Sequence, residues 1–210
     1  MSQNTSHAVM AQRVEPHDSL DDFPTQPWAT RALCEWINAH AMRTIDLDAW
    51  EPAANRGHMV RPLVEYFHSV YASDIQNYGE IACETLDFLW PSDREAAWII
   101  TNPPFRLAQQ FVSTGLQRAR MGVAVIVRTS FLEGVGRHKD LFSVTPPTDI
   151  LQFTERVPMV KGRLTATGST ATAYCWLVWR KNLPPQITRF HWIAPCRKRL
   201  ERASDYGAAA

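Results

Sequence analysis

The sequence has little that would place the chain in a membrane, in a disulfide scaffold or around a structural metal. Its 4 cysteines include no CxxC pair, and its 7 histidines have no metal-ligand spacing. We therefore expect reduced thiols and no metal site. No apolar run approaches the roughly 20 residues that span a bilayer, and residues 1–22 contain no apolar signal-peptide segment. These absences predict a cytoplasmic protein with no membrane partner.

The composition is that of an ordinary globular protein. Hydrophobic residues make up 45% of the chain and charged residues 20%, both typical of packed domains. A length of 210 residues suits one well-buried domain. Residues 1–20 show no apolar periodicity and predict a disordered tail. We therefore expect one domain over residues 21–210, as a monomer or a homodimer.

Charge is distributed unevenly along the chain, although the formal net charge is only +1. Residues 1–105 contain 6 Lys and Arg against 15 Asp and Glu, whereas residues 106–210 contain 16 against 6. A basic half of this size favours a polyanionic partner. Pairing of the two halves within one globule would explain the same pattern without a partner, and the sequence leaves both interpretations open.

The apolar pattern alternates between strands and helices. We predict helices at 27–41, 59–67 and 107–118, and strands at 45–50, 70–72, 85–89, 96–101, 122–128, 151–156 and 171–179. Residues 158–170 are polar and basic and predict a loop. This alternation is typical of an α/β protein with a doubly wound, mostly parallel sheet and right-handed crossovers.

Asn102-Pro103-Pro104-Phe105 directly follows the predicted strand at 96–101. Two consecutive prolines end the strand in a fixed shape, because proline lacks the N–H group that a sheet requires. In an open α/β sheet this end of a strand borders the ligand crevice. The asparagine offers an amide oxygen and the phenylalanine a flat ring, so a planar group with an exocyclic amine would fit both.

This tetrapeptide resembles motif IV of the amino-methyltransferases that use S-adenosylmethionine (AdoMet), above all the DNA N6-adenine methyltransferases. The resemblance implies the class I methyltransferase fold, a Rossmann-like sheet of seven mostly parallel strands with one antiparallel strand. It implies AdoMet as cofactor and the N6 amine of a flipped-out DNA adenine as methyl acceptor. The implied catalytic residues are Asn102, Pro103, Pro104 and Phe105. Small relatives of this kind are often encoded by phages, so we expect short or loose sequence specificity.

A second segment, residues 46–57, is similar to motif I of the same family, in which an acidic strand end precedes a glycine-rich turn. Small residues there let the backbone approach a ligand closely. Asn55 stands where the family has its first glycine, and asparagine tolerates a left-handed backbone, so we expect the turn to form. The resemblance implies cofactor contacts from Glu51, Pro52, Ala53 and Gly57, with Glu51 near the cationic amino-acid end.

Three further features complete the implied cofactor site. Asp74 ends the next predicted strand, where nucleotide-binding folds place an acidic residue for the ribose hydroxyls. Asp87-Phe88 is similar to the family's adenine-binding pair, and residues 23–28 to motif X, which folds over the methionine part. The implied contacts are Asp74, Asp87, Phe88, Phe23, Thr25, Trp28 and Asn102. The acidic residues and Thr25 also suit helix N-caps, with Pro27 near the first helical position.

The basic half provides candidates for holding a polynucleotide. Most of them lie at predicted strand ends or in loops, where side chains reach solvent. They are Arg128, Arg137, Lys139, Arg156, Lys161 and Arg163, together with Arg180 and Lys181. The predicted partner is DNA, and RNA is a possible alternative. Lys161 and Arg163 fall in the loop at 158–170, which we expect to be mobile and near the active-site edge.

Several alternatives remain open at this stage. The Asn-Pro-Pro-aromatic sequence also occurs in RNA-adenine and protein-glutamine methyltransferases, whose targets also present a planar nitrogen. Cytosine N4 is another conceivable target. The departure at Asn55-Arg56 suggests a different class of protein, a methyltransferase-like module that binds nucleic acid without catalysis. The intact tetrapeptide at Asn102 favours the DNA N6-adenine enzyme over these alternatives.

Overall fold

A computed structural model of the chain describes residues 21–168, 170–184 and 187–206. The tail that we predict over residues 1–20 lies outside the described residues. The strands are β1 (Asp48–Glu51), β2 (Ser69–Asp74), β3 (Glu84–Thr85), β4 (Ala96–Thr101), β5 (Ala119–Arg128), β6 (Asp149–Phe153), β7 (Tyr174–Arg180) and β8 (Arg189–Ile193). The α-helices are α1 (Pro27–His40), α2 (Val60–Leu63), α3 (Ala108–Arg118), α4 (Val135–Arg137) and α5 (Arg197–Leu200).

The strands form one eight-stranded sheet in the order β3-β2-β1-β4-β5-β7-β6-β8. Strand β7 runs antiparallel to β5 and β6, and the other neighbouring strands pair in parallel. The predicted mostly parallel sheet with one antiparallel strand is therefore confirmed. The predicted number of seven strands is wrong, because Arg189–Ile193 adds an edge strand beside β6.

The order of the strands determines where a ligand crevice opens. Strands β1 and β4 are neighbours and run parallel. From β1 the chain continues outward to β2 and β3, whereas from β4 it continues in the opposite direction to β5. Loops leaving β1 and β4 therefore diverge above the carboxyl ends of the two strands. In open α/β sheets, this is the switch point at which ligands bind.

Helices cover both faces of the sheet and bury its apolar side chains. On one face, α1 packs Trp28, Leu33 and Ile37 into the core, and all three are fully buried. On the other face, Phe111 and Val112 of α3 pack with residues of the central strands. Strand β4 is buried at every position. Its sequence is therefore almost entirely apolar, as expected for a central parallel strand. None of the described helices combines the length and the apolar character needed to cross a bilayer.

Gly122 in β5 is a site where the packing of the sheet can be tested. A Cβ atom there would lie 2.5 Å from the Trp98 ring and 2.8 Å from the Trp179 backbone oxygen. Gly122→Ala should therefore lower the free energy of unfolding by about 1–3 kcal/mol, as measured by urea denaturation. Gly136→Ala is the control, since a Cβ there meets no atom within 4 Å. Equal stability of the two variants would contradict this packing.

Candidate active site

A pocket opens at the switch point between β1 and β4. Its walls come from residues 21–25, from the turn after β1, from the ends of β2 and β3, and from the loop after β4. The lining residues include Asp22, Phe23, Thr25, Pro52, Ala53, Asn55, His58, Asp74, Ile75, Tyr78, Asp87, Phe88, Leu89, Asn102 and Pro104. Segments far apart in sequence, with similarity to motifs X, I and IV, are thus brought together at one site.

Glu51 ends β1 behind the pocket and is fully buried. Its Oε1 accepts a hydrogen bond of 2.9 Å from the Ala53 N–H group, whereas Oε2 has no hydrogen-bond partner among the described residues. Burial raises the pKa of Glu51 to about 8, an effect that the Thr101 side chain and the Ala53 amide only partly offset. A cationic group reaching Glu51 would favour its ionised form and remove this burial cost.

The turn after β1 forms despite its departure from the family pattern. Asn55 has a φ of 49°, in the left-handed region, as expected for the residue in the glycine position. Its N–H group donates to Asp74 Oδ2 at 2.8 Å and so ties the turn to the end of β2. Gly57 has a φ of 81°, and a Cβ there would lie 2.5 Å from Ile81. The expectation that the turn survives is therefore confirmed.

Asp74 and Asp87 both reach the pocket, at the ends of β2 and just beyond β3. Asp74 Oδ1 accepts from the Gln76 N–H group at 3.0 Å, and burial raises the pKa of its carboxyl. Asp87 Oδ1 accepts from the Leu89 N–H group at 2.9 Å, which turns the chain sharply. Their roles toward ribose and adenine stay predictions. Neither carboxylate caps one of the α-helices.

Phe88 lines the pocket but is almost completely buried, at 1% exposure. Its ring packs against the rings of Trp50 and Phe111, at centroid distances of 5.1 and 5.0 Å. Other side chains that line the pocket were not predicted from the sequence, among them Ile75, Tyr78, Leu86, Leu89, Leu107 and His58. Ile75 directly follows Asp74 and is 64% exposed. Its position directly after an acidic residue at a strand end could have identified it as a pocket residue from the sequence.

Residues 21–25 cross the pocket, and we call this segment the strap. The Asn102 Nδ2 donates to the Phe23 carbonyl at 2.8 Å, and the Phe105 N–H group donates to Asp21 Oδ2 at 2.8 Å. Thr25 is 2% exposed, and its hydroxyl has no partner within the described part of the chain. It is not the N-cap of α1, because that position belongs to Gln26.

Trp28 does not reach the pocket, contrary to its predicted cofactor contact. It lies in the first turn of α1, is fully buried, and packs edge-on against Phe153 at a centroid distance of 5.6 Å. Helical geometry turns it toward the sheet, whereas Phe23 and Thr25 precede the helix and face the crevice. Trp28 is therefore not a candidate cofactor residue.

The Asn102–Phe105 tetrapeptide leaves β4 beside the strap. Since the Asn102 nitrogen is bound to Phe23, its Oδ1 is oriented as an acceptor. Asn102 and Pro104 line the pocket, whereas Pro103 is buried behind them and Phe105 is half-buried at its edge. The Phe105 ring lies 5.4 Å from the Phe23 ring, and the Arg128 guanidinium carbon lies 4.1 Å from its centroid.

Some of the predicted nucleic-acid residues bind other parts of the chain through their side chains, and others are exposed. Arg128 ends β5 beside Phe105, and its Nε is buried without a partner among the described residues. Arg137 Nε donates to the Phe131 carbonyl at 2.8 Å, and Arg156 Nη1 donates to the Ala171 carbonyl at 3.0 Å. The side chains of Lys139, Lys161 and Arg163 are exposed.

The loop predicted at 158–170 lies next to the pocket, and side chains anchor it. Gln26 Nε2 donates to the Pro158 carbonyl at 2.6 Å and to the Thr165 carbonyl at 3.1 Å. The Gly162 N–H group donates to the Asp22 carbonyl at 2.8 Å. These bonds bring Lys161 and Arg163 beside the strap, at the edge where they were expected. They anchor the described part of the loop at three points, and the predicted mobility of the loop stays a prediction.

Arg180 and Lys181 lie at the end of β7, away from the pocket. Arg180 is 9% exposed, and its Nε donates to the buried Asp149 carboxylate at 2.9 Å. Lys181 Nζ donates to the Ala119 carbonyl at 2.8 Å. Since β7 is antiparallel, its last residue lies at the end of the sheet opposite the pocket. The prediction of Arg180 as a nucleic-acid contact is therefore wrong, because its guanidinium binds the buried Asp149, a partner that the sequence did not indicate. Lys181 is exposed, and its role stays a prediction.

No family model and no curated protein matches the sequence. Solved structures match the fold at low identity. A protein assigned as a class I S-adenosylmethionine-dependent methyltransferase from Listeria monocytogenes has a TM-score of 0.59 and 8% identity over 80% of this chain and 65% of its own. A protein assigned as an RNA methyltransferase from Pyrococcus horikoshii has a TM-score of 0.59 and 14% identity, over 80% of this chain and 91% of its own.

A third structure belongs to the methyltransferase subunit of a type I restriction-modification system from Streptococcus thermophilus. Its TM-score is 0.61 at 10% identity, over 81% of this chain and 47% of its own. The chain thus spans less than two thirds of the Listeria chain and about half of the Streptococcus chain. Together these likenesses show that the protein has the class I methyltransferase fold.

The buried Glu51 makes stability depend on pH in a direction that can be tested. Its pKa rises from 4.5 to about 8 on folding, so between those values the folded state keeps a proton that the unfolded state has lost. This contribution to stability is complete below pH 4.5 and disappears as the pH rises through the folded value. In the protein without ligand, Glu51→Gln should therefore weaken the fall in the free energy of unfolding between about pH 5 and pH 8.

Urea denaturation at several pH values would measure this slope. Glu133→Gln is a suitable control, because Glu133 is exposed and should leave the slope as in the wild type. A Glu51→Gln slope equal to that of the wild type would contradict the assigned burial cost.

Proposed function

We propose that the protein transfers the methyl group of AdoMet to the N6 amine of adenine in DNA. The observation that carries this proposal is the orientation of Asn102 at the edge of the pocket. Its nitrogen is bound to the strap, so its oxygen is the acceptor offered to a substrate. A methyl acceptor held by Asn102 would border whatever occupies the pocket.

The pocket fits AdoMet in the distribution of its polar groups. Asp74 and Asp87 would accept from the ribose hydroxyls and the adenine amine, and apolar side chains such as Ile75 and Leu89 would cover the purine. Two buried atoms, Thr25 Oγ1 on the strap and Glu51 Oε2 behind the β1 turn, have no hydrogen-bond partner within the described ranges. The polar methionine end would fit beside them. When bound, AdoMet supplies an electrophilic methyl group.

The tetrapeptide would act on the target amine by positioning. Hydrogen bonds from the two N6 hydrogens to Asn102 Oδ1 and to the Pro103 carbonyl would hold the nitrogen and draw it toward tetrahedral geometry. Its lone pair, otherwise delocalised into the ring, would then be available to attack the methyl carbon while the bond from that carbon to sulfur breaks. S-adenosylhomocysteine would be the leaving group, and the surplus proton of the methylated amine would pass to solvent. Fixed acceptors of this kind lower the barrier through orientation and electrostatics, so no strong general base is required.

Several features support a nucleic-acid substrate. A duplex base must leave the stack to reach Asn102, at a cost of a few kcal/mol. Phe105 would then stack on it, after Arg128 moves from its position 4.1 Å from the ring centroid. Lys161 and Arg163 project from the loop tied to the strap, where they would contact phosphates. The likeness to a restriction-modification methyltransferase subunit favours DNA.

Nucleoside mass spectrometry tests the proposed reaction. The purified protein and AdoMet, incubated with unmethylated DNA, should produce N6-methyladenine. Asn102→Ala should lower turnover at least about a hundredfold, because one preorganised hydrogen-bonding group commonly contributes that much. Its affinity for AdoMet should fall by less than about tenfold, because the variant also loses the one hydrogen bond from Asn102 to the strap.

Asn77→Ala is the control variant. Asn77 lies in an exposed turn, where its side chain binds the Gly79 N–H group, and the variant should retain full activity. Methylation of RNA or of a protein glutamine instead of DNA would replace the proposed substrate. Undiminished transfer by Asn102→Ala would refute the mechanism itself.

Phosphate contacts by the loop beside the strap predict a salt effect. Replacing both Lys161 and Arg163 with Gln should weaken DNA binding for all sequences. It should also reduce the slope of the logarithm of the binding constant against that of the salt concentration by about 2. Fluorescence anisotropy with labelled DNA would measure it. Arg120→Gln should leave the slope unchanged, since Arg120 lies at the opposite end of the sheet beside Asp48. Equal salt slopes for the Lys161 and Arg163 double variant and for Arg120→Gln would contradict DNA binding at the loop beside the strap.

A further inference from the structure

The strap is bound on both sides of the pocket. On the side of the tetrapeptide, Asn102 and Phe105 donate to the Phe23 carbonyl and to the Asp21 carboxylate. On the opposite side, Asp22 binds the turn after β1. Every residue of the strap lines the pocket, so a ligand in the pocket would lie beneath a segment that is closed at both ends.

The contacts of the Asp22 carboxylate with the turn come from the two residues at which the turn departs from the family pattern. Arg56 Nη1 lies 2.8 Å from Asp22 Oδ2 and 3.0 Å from Oδ1. Asn55 Nδ2 donates to Asp22 Oδ1 at 2.8 Å. Glycine at these positions would have no side chain to offer. The departure therefore adds a connection between the turn and the strap.

The Arg56 guanidinium is positioned by two further contacts, one with Glu80 and one with the pocket residue Tyr78. Its Nε lies 3.4 Å from Glu80 Oε1, and its guanidinium carbon lies 4.8 Å from the centroid of the Tyr78 ring. These contacts keep the guanidinium directed at Asp22. The Asp22 carboxylate and the neighbouring Glu80 also raise the pKa of Arg56, so the side chain stays charged at any working pH.

The two sides of the strap differ in how readily they can open. The Asp22 and Arg56 side chains are 14% and 27% exposed, so water and salt ions can compete for this pair. The tetrapeptide on the other side is stiffened by two prolines, and its contacts hold the proposed catalytic amide. Opening at the Asp22 side chain would loosen this side of the strap, where the Gly162 N–H bond to the Asp22 carbonyl would remain, and would leave Asn102 in place.

We propose that Asp22 and Arg56 form a latch that closes the strap over the AdoMet pocket, so that breaking this ion pair sets the rate of cofactor exchange. The inference rests on the proposed cofactor site and is independent of the identity of the methyl acceptor. Arg56 acts here as a positioning residue. A merely structural ion pair would change the global stability, whereas a latch changes the local opening of the strap and the release of the cofactor.

Hydrogen exchange tests the latch in the protein without ligand. The backbone amides of Phe23 and Thr25 should exchange about fivefold faster in Arg56→Gln than in the wild type, the range expected for a partly exposed ion pair. Arg94→Gln is the control, because Arg94 is also partly exposed but pairs with Glu84 and lies over the Tyr71 ring, so its removal leaves the described partners of Arg56 in place. Unchanged exchange at both amides, or a lower urea midpoint that accounts for the change, would overturn the proposal.

Stopped-flow measurement of AdoMet release tests the consequence. Asp22→Asn and Arg56→Gln should each release AdoMet about fivefold faster, and the double variant should be no faster than either single one. Exchanging the charges, in Asp22→Arg with Arg56→Asp, should restore slow release. Independent, additive effects, or no effect, would overturn the latch.

The two readouts also separate this inference from the proposed function. A wild-type protein that binds no AdoMet would refute the cofactor site, and hydrogen exchange of the strap would still decide whether the ion pair closes it.

Discussion

The reversal of strand order between β1 and β4 is the constraint on which the site depends. Because the chain moves outward from these two neighbours in opposite directions, the loops that leave β1 and β4 diverge and leave a crevice above the carboxyl ends of the two strands. The strap crosses that space and binds both sides of it, through Asp22 at the β1 turn and through Phe23 at Asn102. One segment thereby links the proposed cofactor site to the proposed catalytic amide.

This connection explains how the protein tolerates an unusual turn after β1. In place of a glycine, Asn55 takes the left-handed conformation, and its side chain adds a hydrogen bond to the strap. Arg56 adds an ion pair to the same carboxylate. The departure from motif I is therefore integrated into the pocket wall, and it gives no support to the alternative of a module with a collapsed pocket.

Most of the fold could be predicted, because the central strands are apolar and the turns carry proline, asparagine and acidic residues. The segments at 96–101 and 122–128 lie in β4 and β5. The errors occur where local pattern and tertiary structure diverge. Strand β8 was missed because its side chains are largely exposed, and β3 ends at Thr85 because Asp87 turns the chain.

The site could be predicted only where a motif identifies it. Asn102, Asp74 and Asp87 follow strands, so their position at the sheet edge is implied by topology. Trp28 and Arg180 were misplaced because sequence does not show which way a side chain faces or which buried partner it has. The role of Asp22 was invisible for the same reason, since its partners are 33 and 34 residues away along the chain.

A crystal structure with S-adenosylhomocysteine would locate the cofactor relative to the strap. We expect the ligand to lie beneath the strap, with its ribose at Asp74 and its sulfur directed toward Asn102. A nucleoside bound outside the strap, or at another surface of the sheet, would contradict this expectation.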